Sequence, residues 1–122
     1  MLFSLTRDSY RDGQEVLCPI GEVDLTTVGH LRGVLIASLS DPAVSSLLVD
    51  MSCVTFLDCA GIGALVEARK TAERHRKRYG VIHPRGLPRR VLQLSGVLSY
   101  LSPAAPHRDR GLQATFASRS TP

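Results

Sequence analysis

Residues 50–63, Asp50 to Gly63, read DMSCVTFLDCAGIG, and the reading of this stretch decides the fold. It opens on the end of SLLVDM (46–51), a near-continuous apolar run of the kind needed by a strand buried on both faces. Beyond Leu57 a carboxylate, a thiol and two glycines intervene, and the period then changes. Ile62, Leu65, Val66, Arg69 and Ala72 recur at helical spacing and are expected to form the inner stripe of a helix that Gly80 ends. LDCAG is therefore a corner that opens a helix, where backbone amides lack partners. Asp58 reads as the cap of that helix, with assistance to group transfer as the alternative. Gly61 and Gly63 suit either close packing of the turn on the sheet or close approach of a partner's backbone.

Alternating elements continue on both sides. Upstream, EVLCPI (15–20) is a short apolar run in which Pro19 argues against a fully paired central strand. GEVDLTT then leads into a helix that Thr26 or Thr27 can cap, with Val28, Leu31, Val34, Leu35 and Leu39 at helical spacing until Asp41-Pro42. Downstream, VIH (81–83) reads as a strand. GLPRRVLQLSG follows as a short helix with Pro88 in its first turn, Leu87, Val91, Leu92 and Leu94 inward, and Gly96 as its stop. VLSYL (97–101) reads as a last strand. Strands alternating with helices imply an α/β fold around a small, mainly parallel sheet.

The 122 residues suffice for one domain, with a core over about 3–101 and 102–122 as a weakly structured tail or final helix. At 43% apolar and 21% charged, the composition is that of a globular chain. No apolar run approaches the roughly 18 residues of a membrane span. Arg7, Asp8, Arg11 and Asp12 follow the apolar start too closely for a signal peptide, so a cytoplasmic, reducing setting is expected. Cys18, Cys53 and Cys59 are odd in number and lack metal-ligand spacing, so neither a disulfide framework, a metal site nor a cofactor is expected.

The net charge of +4 hides a division, because residues up to 68 carry nine acidic against three basic side chains and the rest two against twelve. The densest basic stretch, ARKTAERHRKRYG (68–80), reads as a solvated helix face or as a surface that steers an acidic partner. A nucleic-acid surface is not expected, since only Tyr79 is interleaved there and no binding motif is present.

The order of G-E-V-D (21–24), L-L-V-D-M-S (47–52), V-T-F-L-D-C-A-G-I-G-A-L (54–65) and P-R-R-V-L-Q-L-S-G-V (88–97) resembles that of STAS domains, the module of bacterial anti-sigma factor antagonists. The resemblance implies a STAS-like fold, a mixed sheet with helices on one side. It also implies action by binding, not catalysis. The unphosphorylated antagonist docks onto an anti-sigma factor and frees the sigma factor. The anti-sigma factor is itself a serine kinase that phosphorylates the residue after the motif aspartate. Here that position is Cys59, followed by Ala60, so the acceptor hydroxyl is missing while the shape is kept. The implied partner-binding residues are Asp24, Asp58, Cys59, Ala60, Gly61, Ile62 and Gly63, with the loops of Asp24 and Asp58 at one end of the sheet. By its residues alone, Asp24 is equally a turn-forming side chain.

Cys59 reads as a small residue that tolerates a helix start, as a redox-sensing thiol paired with Cys53, or, least of all, as a nucleophile. His30, His75, His83 and His107 lie in different elements and complete no catalytic constellation, so an enzyme is not expected. A scaffold in a signalling or transport assembly is the remaining alternative. Oligomeric state is left open.

Overall fold

A computed structural model of the chain describes residues 3–103. The elements run β1 (Ser4–Ser9), β2 (Gln14–Val23), α1 (Val28–Ser40), β3 (Ser46–Asp50), β4 (Val54–Leu57), α2 (Cys59–Arg74), β5 (Arg78–Ile82), α3 (Gly86–Leu94) and α4 (Leu98–Leu101). β2 is the central strand. It pairs antiparallel with β1 on one edge and parallel with both β3 and β4 on the other, and β3 carries β5 in parallel.

β2 is central yet, as Pro19 led us to expect, it is not fully paired there, and the reason is local. β2 follows β3 only from Gln14 to Leu17 and meets β4 only from Gly21 to Val23. Pro19 falls in the gap between the two partners, where no parallel ladder pairs with it, and on the other edge it stands opposite Leu5. At the end of the gap the register shifts between Gly21 and Glu22, and Gly21 takes φ 108°, a conformation open to glycine without strain.

Strand alternation gives the sheet two unlike faces. Leu17, Leu47, Val49, Tyr79 and Val81 point into the core with Leu31, Leu35 and Leu39 of α1 and Leu65, Ala68 and Ala72 of α2. Two polar contacts fix which helices cover this face. The Ser38 hydroxyl of α1 donates to Glu15 of β2 at 2.5 Å, and the buried Tyr79 hydroxyl of β5 donates to the Leu65 carbonyl of α2 at 3.0 Å. The opposite face presents Val16, Cys18, Leu48, Asp50 and Ile82, all half-buried. This is the mixed sheet with helices on one side that the sequence led us to expect.

Several local expectations are corrected. Gly80 does not end α2; that helix stops at Arg74, the chain reverses through Arg76 at φ 58°, and Gly80 lies inside β5, which begins at Arg78. Residue 80 must lack a side chain because Pro103 occupies the place of its Cβ. Arg69 is not part of the buried stripe of α2. That stripe is Gly61, Ala64, Leu65, Ala68, Thr71 and Ala72, while the Arg69 guanidinium lies 4.4 Å from the Tyr100 ring centre and donates to the Tyr100 carbonyl. VLSYL is the helix α4, not a strand; Leu101 is buried in the core and Tyr100 is held by Arg69. In α3 the buried residues are Pro88 and Leu92, whereas Leu87 and Leu94 are exposed. Gly96 does stop α3, at φ 77°. Of the expected tail, residues 104–122 lie outside the described residues.

The candidate docking corner

The corner is built at the end of β4. Asp58 has extended backbone angles, φ −114° and ψ −172°, so its carboxylate turns back over the first turn of α2. Its Oδ1 accepts from the amides of Ala60 at 3.0 Å and Gly61 at 3.2 Å. Asp58 is thus the cap of α2, the commoner of its two expected uses, and it satisfies amides that would otherwise face solvent unpaired.

The second loop is organised by another aspartate. Asp24 Oδ1 accepts from the Thr26 amide at 3.0 Å, the Thr26 hydroxyl at 2.8 Å and the Thr27 amide at 3.1 Å. These bonds, the Thr26 hydroxyl foremost, hold the carboxyl below the usual carboxylate range. Thr27 stands at the cap position of α1, but its side chain does not cap; its hydroxyl donates to the Glu22 carbonyl at 2.8 Å. No side chain caps α1; Asp24 instead holds the turn that precedes it, through the amides of Thr26 and Thr27. The turn-forming reading of Asp24 is therefore observed.

The two loops meet through the backbone. The Asp58 amide donates to the Val23 carbonyl at 3.3 Å, which places Asp24, the next residue after Val23, beside the Asp58 corner. Gly61 is buried against the same spot: a Cβ there would stand 2.5 Å from Leu57 Cδ1 and 2.7 Å from Val23 Cγ1. Gly63 differs, with nothing within 4 Å of the place of its Cβ. Cys59 and Gly63 are exposed, Ala60 and Ile62 half-buried, and Gly61 buried. The reachable surface thus begins at Cys59 and runs down α2 through Ile62 and Gly63 to Glu67, which pairs with Arg32 of α1 at 2.9 Å.

Two exposed apolar side chains near these elements escaped the sequence reading. Leu25, next to Asp24, is 78% exposed, and Phe56 of β4 is 37% exposed. A signal for Phe56 exists in VTFL, since neighbouring strand residues point to opposite faces and Leu57 takes the core. The expected redox pairing of Cys53 with Cys59 is corrected. The whole of β4 lies between them, and four extended residues span on the order of 13 Å, well beyond the alpha-carbon separation of a disulfide. Among the described residues no group of three or more His, Cys, Asp or Glu is placed to hold a metal ion. No described helix is long and apolar enough to cross a membrane.

An exposed, aspartate-capped helix start lies beside a second aspartate-organised loop at one corner of a small α/β domain with a mixed sheet. The chain belongs to the STAS domain family, whose model matches residues 11–111. Among solved structures it is similar to an anti-sigma factor antagonist from Mycobacterium paratuberculosis, with 24% identity, TM-score 0.73, and 82% of this chain and 83% of that one covered. It is also similar to the Bacillus cell fate determinant SpoIIAA in its phosphorylated form, with 21% identity, TM-score 0.66, and 87% and 95% covered. An antisigma-factor antagonist STAS domain from Rhodobacter sphaeroides gives 18% identity, TM-score 0.55, and 66% and 86% covered. No curated protein matches the chain in sequence.

Proposed function

We propose that the protein is an anti-sigma factor antagonist. It binds an anti-sigma factor of the serine-kinase type through Asp24, Asp58 to Gly63 and the outer side of α2, and so frees a sigma factor in the cytoplasm. Binding, not catalysis, is its activity. Membership of the STAS family and the likeness to solved antagonists support this reading.

The observation that carries it is the state of the corner. Cys59 is exposed at the first position of a capped helix, and neither it nor Ala60 offers a hydroxyl. A phosphate at such a place gains from the helix start but adds roughly two negative charges beside Asp58. SpoIIAA has been seen both with and without phosphate. Here the carrier atom for that charge is sulfur, and a serine kinase transfers to oxygen. Antagonism is accordingly not gated by phosphorylation at residue 59.

The test is calorimetric titration against a purified anti-sigma factor of the kinase type. Cys59→Asp, which puts a permanent charge at the corner, should weaken binding at least tenfold. Arg76→Glu, in the turn after α2, should not change it. Equal affinity for wild type and Cys59→Asp would place the docking surface elsewhere.

A further inference from the structure

Among the described residues β5 is an edge strand that pairs with β3 alone. The Ile82 carbonyl accepts from the Met51 amide at 2.9 Å, so the parallel ladder turns the amides and carbonyls of Gly80 and Ile82 toward β3. Val81, between them, turns its amide and carbonyl the other way, to the open edge. Neither group has a hydrogen-bond partner among the described residues. Val81 is only 3% exposed, and main-chain groups so placed are normally paired. They lie in a groove of about 410 Å³. Its walls include His83 and Pro84 just beyond the strand, Arg89 of α3, Leu98 and Ser99 of α4, and Pro103. No carboxylate is among the walls. Asp50 approaches His83 Nδ1 at 3.5 Å, while the exposed Arg89 side chain has no partner among the described residues.

We propose that this groove docks an extended, acidic segment of another protein, which adds to the sheet beside β5. Its main chain gives the Val81 amide an acceptor and the Val81 carbonyl a donor, and one of its carboxylates meets Arg89. Leu98 and Pro103 supply apolar contact for a side chain that alternates with the carboxylate. The bland alternative is an ordinary edge left to water. β1 is an edge of that kind, almost wholly exposed along its length. Val81 differs, because hardly any of it reaches solvent and water serves its main-chain groups poorly. Charge selects the occupant. The chain's own residues 104–122 carry Arg108, Arg110 and Arg119 against Asp109 alone, and would bring like charge to Arg89. The β5 edge of a second copy would bring its own Arg89 to the same place. An acidic strand from a different protein meets neither objection. The groove shares no residue with the Asp58 corner, so it is a second surface.

The experiment is a titration of the isotopically labelled full chain with the synthetic peptide Glu-Val-Glu-Val-Glu, read by backbone amide spectra and hydrogen exchange. In the free chain the Val81 amide should exchange faster than that of Ile82, which the ladder holds. The peptide should shift the Val81 amide and slow its exchange, and added salt should weaken the effect. Lys-Val-Lys-Val-Lys should bind about tenfold less tightly, and Arg89→Glu, at an exposed position of α3, should reverse that order. A Val81 amide as protected as Ile82 in the free chain at every concentration would assign the edge to residues 104–122. Protection that grows with protein concentration would assign it to a second copy. Either result overturns the proposal, as does a spectrum that the acidic peptide leaves unchanged at Val81 or an Arg89→Glu protein with the wild-type preference. The readout needs no anti-sigma factor and leaves Cys59 untouched, so its failure is distinguishable from failure of the reading of the corner.

Discussion

The Asp58 amide donates to the Val23 carbonyl at 3.3 Å, and this bond joins the two loops that carry the corner. Each loop is organised by its own aspartate, so the surface is held by backbone geometry as well as by side chains. If this corner is the docking face proposed above, it is present before any partner arrives, which lowers the ordering cost of binding.

The two glycines of the corner, alike in sequence, should respond in opposite directions. Gly61→Ala must displace Leu57 or Val23, and overpacking of this kind costs about 1–3 kcal/mol. Gly63→Ala meets open space inside a helix, where alanine is favoured over glycine by roughly 1 kcal/mol. Urea unfolding of both variants checks this. If Gly63 also lets a partner's backbone approach, Gly63→Ala will be more stable yet bind the anti-sigma factor less tightly.

Removal of the cap should be felt at α2. Asp58→Ala leaves the Ala60 and Gly61 amides without their acceptor and should destabilise the fold by about 0.5–2 kcal/mol. Asp58→Asn, which keeps an oxygen in place, should recover most of the loss. Thermal unfolding of the three proteins decides it, and equal melting temperatures would remove the cap from the account.

Acid should loosen the Asp24 loop. Its carboxyl is held below the unfolded-state value of about 3.9, chiefly by the Thr26 hydroxyl. The contribution to stability is therefore complete above that unfolded value and is lost as pH falls through the lower folded one. Comparing melting temperatures of wild type and Asp24→Ala from pH 6 downward should show a gap that narrows only at the acid end. A gap that closes near neutrality would assign it to another group.

How far the sequence reveals this molecule depends on where tertiary contacts override local pattern. The α1 stripe of Val28, Leu31, Leu35 and Leu39 is fully legible because each points at the sheet. The capped corner is legible because Asp-x-x-Gly after an apolar run specifies its own local geometry. β1 is not legible: SLTRDS is almost wholly exposed, and pairing with β2 stabilises it in place of an apolar alternation. β4 is four residues long and merges with β3 in the apolar pattern. VLSYL has the composition of a strand but is drawn into a helix by Leu101 entering the core and Tyr100 meeting Arg69.

The central claim is that the corner docks a kinase-type anti-sigma factor while withholding the atom that the kinase modifies. Its most direct measurement is intact mass after incubation of wild type and Cys59→Ser with that partner and ATP. The account predicts no phosphate on the wild type and one on Cys59→Ser, at residue 59, with release of the serine variant from the complex. A phosphorylated wild type, whether on Cys59, Ser52 or Thr55, or a Cys59→Ser protein that binds the active kinase and stays unmodified, would contradict it.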